Sequence, residues 1–310
     1  MDEDVARAAE VLRAGGIVAV PTETVYGLAG RADDADAVAA IYAAKGRPSD
    51  NPLIVHVLGV ADAERLAVFD DRARALAAAF WPGPLTLVLP VRAGAALAAA
   101  VTGGRLKGGR LKGGRGTVAL RAPAHGVMRA LIEAVGPLAA PSANRSGHVS
   151  PTRAEHVRGS LGTGVLVLDA GACVAGLEST IVQTAPLRLL RPGAVTAEAV
   201  EAVVGPLAGV EKGAGLVAPG MMESHYAPRQ PVRLEAVTAG EDEFLIGFGA
   251  VAGDLNLSAS GDLAEAAAGL FAALHEAEAS GRAGIAVAPV PETGLGRAIN
   301  DRLRRAAAAR

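Results

Sequence analysis

Hydrophobic and polar positions alternate along the first two hundred residues between a helical period and short apolar runs. Asp4 to Ala14 carries the helical period and ends at Gly15-Gly16, and Ile17 to Val20 is a short buried strand. Asp33 to Ala44 is a second helix, with Asp residues near its start where they suit the dipole. Leu53 to Leu58 is apolar and β-branched and reads as a strand. Ala61 to Phe80 is mostly helical until Trp81-Pro82-Gly83-Pro84 stops it. Thr86 to Val91, Thr117 to Arg121, Leu138 to Ala140, Val165 to Asp169 and Thr180 to Gln183 read as strands, with a helix over Gly126 to Val135. Such alternation predicts an α/β sheet with helices on its faces. Strand-to-strand stretches such as Ser179 to Leu190 predict a mixed sheet.

From Pro206 to Pro231 the period fades while Gly and Pro accumulate, which marks a linker. Beyond it come a strand over Glu243 to Phe248, a helix over Asp262 to Glu278, a strand over Ile285 to Ala288 and a helix over Gly296 to Ala309. The expected organisation is a first domain over 1–207, a linker over 208–232 and a small α/β domain over 233–310. A core of that last size is small and is expected to lean on the first domain or on a partner.

Composition narrows the function classes. With a net charge of -2, no global basic field draws the chain to RNA or membranes. Cys173 is the single cysteine, which excludes an internal disulfide, a CxxC pair and a cysteine-rich zinc site. No basic leader precedes an apolar run, and no apolar run approaches the roughly 18 residues a membrane span needs. A soluble, cytoplasmic protein is expected. The tandem RLKGG at 105–109 and 110–114 is too rich in Gly and cations to bury a core, so it reads as a surface loop. It is either a functionless duplication or a contact for tRNA or phosphate.

Five segments join polar residues to Pro and Gly at predicted strand ends, where open α/β sheets bind ligands. Pro21-Thr22-Glu23-Thr24-Val25-Tyr26-Gly27-Leu28 reads, by itself, equally as a helix N-cap. Lys45-Gly46-Arg47-Pro48 through Asn51-Pro52 to His56 sets two cations in a stiff loop suited to a polyanion, or to plain solvation. Pro141-Ser142-Ala143-Asn144-Arg145-Ser146-Gly147-His148 through Ser150 and Thr152 suits a backbone nest for phosphate, or a capped turn. Glu178-Ser179-Thr180-Ile181-Val182 is followed by Leu190-Arg191-Pro192-Gly193. Last come His225-Tyr226-Ala227-Pro228 in the linker, with no core of their own to fill.

Taken in order, PTETVYGL, KGRP, NPLIVH, WPGPLTLVL, PSANRSGHVSPT, STIV, LRPG and HYAP resemble the YrdC-type threonylcarbamoyl-AMP synthases in their long, two-domain form. The resemblance implies a twisted mixed sheet with a concave cleft and a small parallel α/β C-terminal domain. It implies a nucleotidyltransferase that joins L-threonine, bicarbonate and ATP into threonylcarbamoyl-AMP and pyrophosphate. A separate transferase complex then uses the product on tRNA, with at most a weak tRNA contact by this chain. Family positions carry over as a tetrad of Lys45, Arg47, Ser142 and Asn144. Threonine contacts fall on Thr24, His56, Arg121, Ala140 and Ser179, and nucleotide contacts on Arg47, Asn51, Thr117, Ser142, Ser150, Arg191 and Tyr226. Mg2+ is expected only as the ion that accompanies ATP, with no metal ligands from the chain. The doubled loop before Thr117 lengthens a connection that is shorter in the family. Two alternatives are an RNA-binding module without catalysis and a carbamoyl-transfer maturation factor. The latter type carries cysteine-rich zinc modules, which one cysteine cannot build.

Overall fold

The computed structural model describes residues 3–48, 51–103, 116–208 and 224–308, together with the backbone of 105–107 and 110–112. In chain order the first part comprises α1 (Glu3–Arg13), β1 (Val18–Val20), β2 (Gly27–Arg31), α2 (Ala35–Lys45), β3 (Ile54–His56), α3 (Val60–Leu66), α4 (Asp71–Phe80) and β4 (Leu85–Pro90). It continues with β5 (Arg105–Lys107), β6 (Arg110–Lys112), β7 (Thr117–Arg121), α5 (Gly126–Val135), β8 (Leu138–Ala139) and α6 (Ala154–Leu161). β9 (Leu166–Val167), β10 (Thr180–Thr184), β11 (Leu187–Arg191) and α7 (Ala197–Val204) complete it. The C-terminal part holds β12 (Val232–Arg233), β13 (Glu243–Gly247), β14 (Leu255–Asn256), α8 (Leu263–Ala279), β15 (Gly284–Val287) and α9 (Leu295–Ala307).

Among the described residues the large sheet runs β11-β10-β4-β7-β3-β8-β2-β1-β9. It is mixed: β1–β9, β3–β7 and β4–β10 are parallel pairs, and the other neighbours are antiparallel. The C-terminal sheet, β12-β15-β13-β14, is parallel throughout. Both agree with the expected fold class. The main core packs Leu28, Val55, Leu87 and Leu120 of the sheet against Val38, Ile41 and Leu76 of the helices. The C-terminal core, built on Phe244, Leu270, Phe271 and Ile299, takes in Val25, Val149 and Leu177 from the first domain. The small domain thus leans on the large one, as its size requires. The two pack tightly at Gly176, whose φ is +64° and where a Cβ would lie 2.4 Å from the Ala268 carbonyl of α8.

α2 sets the approach to the site. The Asp34 carboxylate caps it by accepting from the N–H groups of Asp36 and Ala37. Gly46, between Lys45 and Arg47, ends it at φ 59°, a left-handed position that an L side chain rarely adopts.

Several sequence expectations are corrected. PTETVYGL starts no helix: Thr22 Oγ1 accepts from the N–H of Thr24 at 3.1 Å and Val25 at 3.2 Å, and the chain enters β2. A threonine serves such a turn as readily as a helix cap, and Val25 and Tyr26 favour extended backbone. The helix expected over Ala61 to Phe80 is two, because Asp70 caps a fresh start by accepting from Ala73 N at 2.7 Å. The RLK triplets of the tandem repeat pair as antiparallel β5 and β6, register Arg105↔Lys112, in a sheet of their own. α6, α7, β2, β12 and β14 were not legible, most being too short to show a period. Residues 209–223, the greater part of the expected linker, lie outside the described residues. No described helix is long and apolar enough to cross a membrane.

Candidate active site

Ends of the central strands open into one cleft. Its walls are Thr24, Val25, Arg47, Ile54, His56, Arg121, Ala140 to Ser142, Glu178, Ser179, Arg191, His225 and Tyr226, around a narrow cavity of about 50 Å³. His56 and Arg121 are register partners at the C-terminal ends of parallel β3 and β7. Ser179 precedes β10 and Arg191 ends β11, its neighbour. Residues far apart in sequence therefore meet because the strands that carry them are hydrogen-bonded in register.

The expected threonine contacts, Thr24, His56, Arg121, Ala140 and Ser179, all lie on this wall. Arg121 is buried and already held: Nη1 donates to Thr24 Oγ1 at 2.9 Å, Nε donates to the Gly83 carbonyl at 3.2 Å, and Nη2 lies 2.7 Å from Glu23 Oε1. The Glu23 carboxyl is opposed by burial, yet Arg121 holds it below the usual range, so the pair is ionic. Burial first, and Arg121 second, push His56 down to about 3. It is a neutral imidazole, and its Nδ1 has no partner among the described residues. The Ser179 and Thr86 hydroxyls lie 2.7 Å apart. The Ala140 N–H donates to Ile54 at 3.0 Å, which leaves its carbonyl as the backbone group it can offer.

Of the tetrad and nucleotide set, Arg47, Ser142, Arg191 and Tyr226 reach the cleft wall. Arg47 donates to the carbonyls of Asn51 and Pro52, and burial brings it down only to about 10, so it stays cationic at neutral pH. Arg191 Nη2 donates to the Ser179 carbonyl at 2.8 Å. Tyr226, 1% exposed, sits at φ 61°, and its hydroxyl has no partner among the described residues. A bulky residue there is strained backbone, of a kind that recurs at functional sites.

Lys45, Asn51, Asn144, Ser150 and Thr117 do not line that wall in this structure. The Lys45 ammonium donates to the carbonyls of Ser142 at 2.5 Å and Asn144 at 2.6 Å. Asn144 Nδ2 donates to the carbonyls of Arg145 and His148. Both side chains brace the PSANRSGH loop from behind, because a nest of that kind needs its carbonyls satisfied. Ser150 Oγ donates to Glu178 Oε1 at 2.5 Å. Thr117 opens β7, the end away from Arg121, and is paired with Pro90.

The family profile described as "Telomere recombination", the Sua5–YciO–YrdC profile, matches residues 10–193. The chain belongs to the Sua5–YrdC family. A second profile, "Threonylcarbamoyl-AMP synthase, C-terminal domain", matches residues 195–308. Within the family, the threonylcarbamoyl-AMP synthase of Bacillus subtilis is 40% identical over 342 residues, covering 100% of this chain and 94% of its own. That of Pyrococcus abyssi is 39% identical over 326 residues, covering 96% and 92%. Among solved family structures, the crystal structure of P. abyssi Sua5 complexed with L-threonine superposes with a TM-score of 0.87 at 37% identity, covering 99% of this chain and 95% of that one.

Beyond the family pattern, Glu178 and His225 on the cleft wall, and Glu23 and Arg302, which pair with the wall residues Arg121 and Glu178, had no assigned role from sequence. Burial and four surrounding cations, Arg47 first among them, hold His225 well below its ordinary value, so it too is neutral. Arg302 is 0% exposed and its Nε donates to Glu178 Oε2 at 2.8 Å. One signal could have found it. It falls on the apolar stripe of α9 with Ala298, Ile299, Leu303 and Ala306, where a lone charge is out of place.

Proposed function

We propose that this chain makes threonylcarbamoyl-AMP from L-threonine, bicarbonate and ATP, with release of pyrophosphate. The single observation that carries the reading is the convergence on one cleft of an amino-acid set (Thr24, His56, Arg121, Ser179) and an anion set (Arg47, Ser142, Arg191, Tyr226). In the reaction, the threonine nitrogen takes up carbon dioxide as a carbamate. A carbamate oxygen then attacks the α-phosphorus, and the bond to pyrophosphate breaks.

Both reactants are anionic, so neutralising and positioning charge matter more than moving protons. Arg47 and Arg191, each oriented by backbone carbonyls, supply positive charge to the phosphates. Neutral His56 accepts or donates without adding charge beside Arg121, which is suited to the threonine carboxylate. Thr24 and Ser179 offer hydroxyls to the side chain and amine. Lys45 fixes the Ser142–Asn144 backbone around the α-phosphate rather than touching it. The donor set does not fit a protein-held divalent ion. Glu178, the carboxylate on the cleft wall, is committed to Arg302 and Ser150, and no group of three or more metal-ligating side chains occurs among the described residues. Mg2+ would enter with ATP, and no step is assigned to it.

The product would pass to a transferase complex acting on tRNA, in the cytoplasm. Neither alternative drawn from the sequence is favoured, since the full-length relatives are named as synthases. Pyrophosphate release from ATP tests the proposal. It is expected to need threonine and bicarbonate together, and release independent of threonine overturns it.

A further inference from the structure

Arg302 belongs to the C-terminal domain, yet it ends beside the cleft of the first. It is fully buried and reaches Glu178, 124 residues earlier in the chain, at 2.8 Å. Its Nη1 donates to Asp301 at 2.6 Å, and its guanidinium carbon lies 5.2 Å from the centroid of the Tyr226 ring. Asp301 is also gripped by Arg305, at 3.1 Å, so α9 presents a braced cation rather than a loose one. Glu178 is 6% exposed and faces Arg302 from α9, Arg191 from β11, the Ser150 hydroxyl from the PSANRSGHVSPT loop and the Tyr226 ring from the segment after residue 223.

A carboxylate on the wall of an anion-binding cleft is a liability. Uncompensated, it repels a triphosphate and competes for Arg191, the cation meant for that ligand. Burial of an arginine on an otherwise apolar helix stripe is likewise unfavourable unless another part of the molecule needs it. These two oddities answer each other. We infer that Arg302 is a positioning residue for nucleotide binding: the C-terminal domain inserts it to neutralise Glu178, so that the carboxylate on the cleft wall does not oppose the phosphates of ATP.

Burial opposes charge on both groups. Even so, Arg302 with Arg191 and the Ser150 hydroxyl holds Glu178 below the usual carboxylate range, and negative neighbours including Glu178 and Asp301 hold Arg302 above its ordinary value. The pair is therefore ionic across the working pH range. Under this assignment the C-terminal domain completes the nucleotide half of the site without touching ATP.

The inference rests on the proposed ATP chemistry, so ATP binding to the full-length wild type is measured first, by calorimetry, alongside L-threonine binding. A wild type that binds no ATP fails the functional reading itself. Given binding, Arg302→Met is expected to weaken ATP by about tenfold or more at pH 8 while threonine affinity changes by less than about threefold. The loss is expected to shrink at pH 6, where an unpaired, buried Glu178 takes up a proton. Arg302→Met combined with Glu178→Gln is expected to recover ATP affinity to within about threefold of wild type and to lose the pH dependence. If Arg302→Met alone does not fold, the double variant decides the matter, since it leaves no unpaired charge. Wild-type ATP affinity in Arg302→Met, or a folded double variant as weak as the single one at both pH values, overturns the inference. Equal weakening of ATP and threonine binding would mark a structural strut and overturns it too.

Discussion

Arg47 and Arg121 show how burial makes a cation useful. Backbone carbonyls orient both guanidinium groups; those on Arg47 leave its charge unspent, whereas Arg121 is also paired with the Glu23 carboxylate. A preorganised charge of this kind is worth about two orders of magnitude in rate when it meets developing negative charge. Arg47→Ala is accordingly expected to lower kcat about a hundredfold, with circular dichroism unchanged, in the pyrophosphate assay. A loss below tenfold would remove Arg47 from the anion site. The threonine side of the cleft makes a different demand. Thr24 and Ser179 supply hydroxyls while Val25 and Ile54 supply apolar wall. Discarding one methyl from such a pocket costs about 1–3 kcal/mol. Serine is therefore expected to turn over at a kcat/KM reduced by about ten- to two-hundredfold, still measurable, and equal constants for the two amino acids would refute the pocket. At this scale the sequence named residue types, and the structure adds their hydrogen-bond partners. Lys45 and Asn144 were legible as site residues, but only the fold reveals that they hold backbone carbonyls.

At the scale of elements, the tandem repeat behaves as a unit separable from the rest. β5 and β6 pair with each other and with no strand of the large sheet. They lie between β4 and β7, which are bonded directly through Leu87↔Leu120 and three further pairs. Deleting residues 110–114 removes one strand of the hairpin and leaves that ladder intact. The expected outcome is a melting temperature within about 2 °C of wild type and turnover nearly unchanged, as for other surface changes away from packed features. A larger drop in either, by scanning calorimetry or pyrophosphate release, would assign the repeat a working role. Long elements such as α8, and β7 with its five apolar-rich residues, were readable because their period spans enough residues. The two-residue strands β12 and β14 exist through their neighbours' hydrogen bonds, and no local pattern announces them.

Across the whole molecule, the two domains share half-buried imidazoles as well as the Glu178–Arg302 pair. His156 of α6 stacks on His275 of α8 at 3.9 Å between ring centroids, and burial first, then His275, pushes His156 down to about 3. His56 at the strand ends is depressed to about 3 as well, by burial and Arg121. A depressed histidine binds fewer protons folded than unfolded between about pH 3 and 6.5, so its contribution is complete above about pH 6.5 and drains away as pH falls. The slope approaches about 1.4 kcal/mol per pH unit for fully buried His56 and is smaller for partly exposed His156. Melting temperature is expected to decline between pH 6.5 and 4.5, before carboxylates titrate, and His156→Gln should flatten the decline. A flat wild-type profile in that window would contradict the buried neutral state. What the sequence by itself determined was the inventory: an alternating α/β chain, strand ends rich in cations and hydroxyls, one cysteine, and a Gly/Pro break before a second small unit. Those are local properties, set by period and side-chain chemistry. Only the tertiary structure decided which cations line the cleft and which brace the backbone, and that α9 delivers Arg302 to Glu178. Pairing and burial depend on which faces pack together, and residues 124 positions apart carry no local trace of that meeting.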